Sequence, residues 1–159
     1  MLAMKGFLVF LSLLLCVSPA LGEVWSGRVI KVLDGDTIEV LRDREPFRIR
    51  LYGIDCPERG QDFGNRARQF TSDLVFGKKV EVRPVEQDQF GRTVAWVNVG
   101  EKSLNHELVK AGLAWHYKRY APKEKELARL EDSARKGKVG LWSHPNPVPP
   151  WAFRRQRKP

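Results

Sequence analysis

The sequence predicts an α+β domain in which five strands close a small barrel and three α-helices pack outside it. Three observations carry that expectation. Short runs rich in β-branched residues recur before residue 53 and again across 80–99. Segments with helical spacing interrupt and follow them. Turn signals join strands that are neighbours in sequence, which favours antiparallel pairing.

The first strand is read over Val24 to Val32, and Asp34-Gly35 supplies its turn. Thr37 to Leu41 forms the second strand, and Arg42 to Pro46 is a polar turn. In the third, Phe47, Ile49 and Leu51 alternate with Arg48, Arg50 and Tyr52, giving one apolar and one cationic face. The period then changes. Phe63, Ala67, Phe70 and Leu74 form one stripe of a helix over Asp62 to Phe76, with Gly77 as its stop. Val80 to Val85 and Thr93 to Val99 are the last two strands, joined around Gln89-Phe90-Gly91. Ser103 can cap a short helix carrying Leu104 and Leu108 and ended by Gly112. A third helix starts at Pro122, acidic at its beginning (Glu124, Glu126) and basic at its end (Arg135, Lys136), as the helix dipole favours. Leu127, Leu130 and Ala134 are its buried stripe, and Trp142 closes the core behind it.

Two flanks stand apart from this unit. Residues 1–22 have the layout of a secretory signal peptide: Lys5, an apolar run from Gly6 to Val17, and small residues before a cut between Gly22 and Glu23. The run is short of the roughly 20 residues of a membrane span. The expected destination is secretion or the periplasm, with no stable membrane insertion. Residues 144–159 are Pro-rich and basic, and read as an extended, loosely held arm able to touch phosphates or, equally, as a solubilising tail. The domain is therefore placed at 23–143.

Composition narrows the function. Of 159 residues, 42% are hydrophobic and 30% charged, which excludes a disordered or collagen-like chain. A net charge of +9 suits a polyanionic partner: nucleic acid, an anionic membrane surface or an acidic polymer. Removing Lys5 and Cys16 with the signal leaves +8 and a single cysteine, Cys56, which can form neither an internal disulfide nor a zinc cluster and is expected to be a buried, inert thiol. His106, His116 and His144 have no metal-ligand spacing and are expected at the surface, with His116 the one candidate for lining a cleft. Trp25, Trp96, Trp142 and Trp151 are expected to be packing anchors.

Charged residues collect at strand ends: Asp34-Gly35-Asp36-Thr37, Arg50, Ile54-Asp55-Cys56-Pro57-Glu58, and Asp88 to Arg92. Hydrolysing a phosphodiester places extra negative charge on a group already anionic. Guanidiniums oppose it because they stay protonated and grip two oxygens. A hard divalent cation does so too, on oxygen ligands, and a further carboxylate can orient or deprotonate the water. Asp36, Asp55, Glu58, Arg50 and Arg92 supply that set. Singly, each has an ordinary structural reading as a turn residue or a surface charge; the ordered set points to metal-assisted hydrolysis.

Val32-Leu-Asp-Gly-Asp-Thr-Ile38, Phe47-Arg-Ile-Arg-Leu-Tyr-Gly-Ile-Asp-Cys-Pro-Glu58 and Asp88-Gln-Phe-Gly-Arg92 resemble the successive signatures of the staphylococcal nuclease family. Leu104-Asn-x-x-Leu-Val-x-x-Gly-Leu-Ala114 and Gly140-Leu-Trp142 extend the resemblance over about 120 residues. It implies an OB-fold barrel with three helices. It also implies that Asp36, Asp55 and the Cys56 carbonyl hold Ca2+, that Glu58 positions or activates the attacking water, and that Arg50 and Arg92 hold the phosphate. The implied reaction cuts DNA and RNA with low sequence specificity, leaving 3′-phosphate ends. Tyr117, in Trp115-His-Tyr-Lys-Arg-Tyr120, falls where the family stacks a base. The chain departs from the family pattern at Cys56, where a Thr is usual, and at Gln89-Phe90, where a Lys-Tyr pair contacts the nucleotide. A monomer is the expected state. Two other readings stay open: a member of the family that binds nucleic acid without cutting it, and a basic protein-interaction module.

Overall fold

The structure is a computed structural model and describes residues 22–157. All of the expected signal segment before Gly22 lies outside the described residues. Five long strands form the frame: β1 (Trp25–Asp34), β2 (Thr37–Arg42), β3 (Glu45–Leu51), β5 (Lys79–Gln87) and β6 (Thr93–Val99), with the two-residue β4 (Ile54–Asp55) between β3 and β5. They hydrogen-bond in the order β3-β2-β1-β5-β6, and β3 pairs with β6 to close the ring. Four of the five pairings are antiparallel as expected, but the closing one is parallel, matching Ile49 with Thr93 and Leu51 with Ala95. The reason is parity. A ring with an odd number of strands cannot alternate direction all the way round, so one pair must run parallel.

Alternation along these strands sends one set of side chains inward. Val29, Ile38, Val40, Ile49, Leu51, Val80, Val82, Ala95 and Val97 are all buried. The register of β5 on β6 slips between Pro84 and Glu86, where proline has no N–H to give the ladder. Gly27 in β1 is required by close approach: a Cβ there would stand 2.5 Å from the Leu41 carbonyl oxygen.

Helices cover the barrel. Helix α1 (Gly64–Val75) ends at Phe76, and Gly77 follows at a left-handed φ of 74°, the stop read in the sequence. Its buried line runs through Ala67, as expected, and then Thr71 and Val75, one position past the expected Phe70 and Leu74, which with Phe63 flank it half-buried. Thr71 belongs inside because its hydroxyl donates to the Gly35 carbonyl at 2.6 Å, tying the helix to the β1–β2 turn. After β7 (Lys102–Ser103), helix α2 (Leu104–Lys110) buries Asn105. Its amide accepts from the Val97 N–H (3.1 Å) and donates to the Tyr52 (2.9 Å) and Ala95 (3.3 Å) carbonyls, so one side chain joins helix, β6 and the end of β3. Two-residue β8 (Trp115–His116) pairs with β4 and precedes α3 (Lys125–Lys136), which buries Leu127, Leu130 and Ala134 as expected.

Two expectations are corrected here. A fourth helix, α4 (Pro150–Gln156), occupies part of the segment read as an extended arm. Pro150 stands in its first turn, where the missing N–H costs nothing and the fixed φ already fits a helix. His116 is also buried, at 3% exposure, on β8 where it pairs with β4, and its Nε2 lies 2.8 Å from the Ala121 carbonyl.

Candidate active site

The β1–β2 turn delivers Asp36, which at 3% exposure is unusually buried for a turn aspartate. Its environment explains this. Oδ2 accepts from the Cys56 N–H at 2.7 Å, and Oδ1 accepts from the Thr37 hydroxyl at 3.1 Å and pairs with the Arg50 guanidinium. The β2–β3 register sets Arg50 opposite Thr37, next to Asp36. Arg50 also donates to Asp55 Oδ1 at 2.7 Å and to the Ile54 carbonyl at 3.3 Å. Burial works against its charge, but Asp36 and Asp55 outweigh that, so the guanidinium is held protonated more firmly than usual.

Asp55 is fully buried, on β4, which β8 pins from the other side by the pairing of Ile54 with His116 and Asp55 with Trp115. Burial pushes its carboxyl above the ordinary value, against the pull of Arg154 and Arg50. The adjacent Cys56 thiol is free and buried, and burial, with Asp36 next, drives it well up, so it stays protonated and inert. Glu58 sits at the rim with its side chain 35% exposed. The loop carrying it is folded tightly onto α1: the Gln61 N–H donates to the Glu58 carbonyl at 2.9 Å, and the Gly64 N–H to the Gln61 carbonyl at 2.9 Å.

Arg92 arrives from the β5–β6 turn. Asp88 organises that turn, accepting from the N–H groups of Phe90 (2.9 Å) and Arg92 (3.0 Å) and from Arg92 Nε (2.7 Å). Slight burial opposes the Asp88 charge, but these donors hold its carboxyl below the usual range. Nε is thus committed, while among the described residues the terminal nitrogens of Arg92 make no hydrogen bond and are directed by it. Tyr117 follows β8 and donates its N–H to the Gly53 carbonyl at 2.8 Å.

One cleft of about 610 Å³ is lined by Asp36, Arg50, Cys56, Glu58, Arg92 and Tyr117, with Asp55 beneath them in contact with Arg50. The structure therefore brings all seven sequence-named residues together. His116 lines a neighbouring groove instead, with Trp151 and Arg155. Sequence reading missed Arg154, which enters from α4. Its Nη2 lies 2.8 Å from Asp55 Oδ2, and its Nη1 lies 3.3 Å from Asp55 Oδ1 and 2.5 Å from Glu58 Oε1. It missed the stacking role of Trp151 as well, whose ring lies parallel to that of Tyr117 at 5.2 Å. The signal was present: Trp151 and Arg154 are three apart behind a Pro-Pro pair, one face of a short helix.

A closed five-stranded barrel whose cleft sets buried carboxylates beside guanidiniums defines an OB-fold protein with a densely charged cleft. Comparison with known proteins makes this specific. Residues 48–144 match the model of the staphylococcal nuclease homologue family, and the chain belongs to that family. Among curated proteins it is 42% identical to Protein ParB of Escherichia coli, over 92% of this chain and 88% of that one. It is 41% identical to a micrococcal nuclease of Shigella flexneri, over 92% of this chain and 90% of that one. An uncharacterized endonuclease of Escherichia coli O157:H7 is 42% identical, over 87% of this chain and 91% of its own. The family match ends before α4 begins.

Proposed function

We propose that the protein is an exported, calcium-dependent nuclease that hydrolyses phosphodiester bonds of DNA and RNA with low sequence specificity and leaves 3′-phosphate ends. The observation that carries this reading is the meeting, in one cleft, of Asp36, Asp55, Glu58, Arg50 and Arg92 from chain segments far apart in sequence. Family membership and relatives named as nucleases support it. The signal-like layout of residues 1–22 supports export. Among the described residues, no helix is long and apolar enough to cross a membrane.

The donor set fits a hard cation. Asp36 and Asp55 would offer carboxylate oxygens, with the Cys56 main-chain carbonyl, next in the chain to Asp55, as a third oxygen donor. Among the described residues no three His, Cys, Asp or Glu side chains cluster as a metal site, so main-chain oxygen and water would fill the remaining positions. When bound, the cation supplies positive charge against the phosphate. The chain's own residues do the rest. Arg50, locked by its ion pairs, presents a fixed charge at the cleft floor. Arg92, aimed by Asp88, offers its terminal nitrogens to the phosphate oxygens, whose charge grows as water attacks. Glu58, at the rim, takes or orients the proton of that water. Tyr117 offers a ring face to a base.

The test is Glu58→Gln. Cleavage of single-stranded DNA with calcium should fall at least 100-fold, while binding of the same DNA persists. Unchanged cleavage would remove Glu58 from the chemistry. A wild type that binds without cutting would make the protein a binding module.

A further inference from the structure

Helix α4 makes two contacts with the cleft, and each occupies a group that the proposed reaction needs. Arg154 forks across both oxygens of Asp55 and reaches Glu58, residues 96 to 99 positions away in the chain. With Arg50 on Oδ1, both Asp55 oxygens carry guanidinium. One turn earlier, Trp151 lies 2° from parallel on the Tyr117 ring and edge-on to Trp115 at 5.5 Å. The linker holds the helix there. Pro145, Pro147 and Pro149 stiffen it, and Gln61 bridges it to the catalytic loop, donating to the Val148 carbonyl (2.7 Å) while accepting from the Glu58 N–H (3.0 Å).

Resting on the nuclease reading above, we propose that α4 is an intramolecular occupant of the active cleft, in which Arg154 takes the carboxylates of Asp55 and Glu58 and Trp151 covers Tyr117, so that cation binding and helix release are coupled. The competition follows from charge and distance. A calcium ion needs carboxylate oxygen at 2.3–2.6 Å. A guanidinium on the same oxygens both fills their lone pairs and repels the cation. The side chain of Arg154 is 40% exposed, so it can swing to solvent, whereas Arg50, at 16%, is built into the floor. A stiff short tether keeps the local concentration of the helix high, which makes the contact effective even though it is small. Coupling of this kind is reciprocal: the factor by which α4 weakens cation binding is the factor by which the cation loosens α4.

The experiment titrates calcium alone, by calorimetry, into the full-length protein and its Arg154→Gln variant, and follows amide hydrogen exchange over residues 150–156 in the unmodified protein. The proposal expects the variant to bind calcium at least tenfold more tightly, and exchange across α4 to rise when calcium is added to the unmodified protein. Equal or weaker calcium binding by the variant, or exchange that stays unchanged with calcium saturating, would overturn it. If the unmodified protein cleaves DNA with calcium while either of those results is found, the latch fails and the nuclease reading stands. If neither protein binds calcium and neither cleaves, both fail.

Discussion

Arg92 reaches the cleft with Nε already bonded to Asp88, so its aim depends on a second side chain. Arg92→Ala should reduce kcat by about 100- to 1,000-fold, the usual scale for losing one preorganised donor, with the circular-dichroism spectrum unchanged and stability lowered only by loss of the Asp88 ion pair. Near-wild-type turnover would show that Arg92 is not on the phosphate. Asp88→Asn tests the aiming: it should lower kcat while leaving Arg92 present. Its effect on stability carries a pH signature. Because the folded carboxyl is held below its ordinary value of 3.8, Asp88 contributes stability above that value and loses it as pH falls through the lower folded value. The stability gap between Asp88→Asn and wild type should therefore be widest near neutrality and narrow as pH is taken progressively below 3.8, as thermal unfolding across that range would reveal. At this scale much was legible. Asp36, Arg50, Asp55, Cys56, Glu58, Arg92 and Tyr117 could be named because their motifs are contiguous, whereas Arg154 lies 99 positions from Asp55 and only folding brings them together.

At the scale of elements, the strands were readable because alternation is a local property of β1, β2, β3, β5 and β6. The pieces that fix the site were not. Strands β4 and β8 have two residues each, too few to show a period, yet their pairing sets Asp55 beneath the cleft that Tyr117 lines. The second half of the α1 stripe fell one position short, at Phe70 and Leu74, because a buried Thr71 satisfied by Gly35 looks polar in sequence. Helix α4 was hidden by its prolines, which mark a loop in composition but a helix start in position. The α1 entrance gives a prediction. A Cβ on Gly64 would collide with the Glu58 carbonyl, and both are main-chain neighbours that cannot yield by rotating a side chain. Gly64→Ala should displace the Glu58 loop, lowering kcat at least tenfold and destabilising the fold by about 1–3 kcal/mol in a urea titration. A variant with normal kcat would show that this packing does not set Glu58.

For the whole molecule, the barrel supplies rigidity and the charge supplies reach. A net charge of +9 attracts polyanions from a distance, and the cleft then adds the specific groups. Carboxylates this buried are costly unless paired, and in Asp36 and Asp55 the pairing falls to Arg50, Arg154 and a main-chain N–H. Gathering such groups in one cleft fits the proposed holding of a cation and a phosphate ester in register. The measurement closest to that claim is incubation of the protein with single-stranded DNA, in calcium and in chelator, followed by mapping of the product ends. The account predicts cleavage that requires calcium and leaves 3′-phosphates. Tight binding with no cleavage in any divalent cation would contradict it, and would reduce Asp36, Asp55 and Glu58 to structural partners of the arginines beside them.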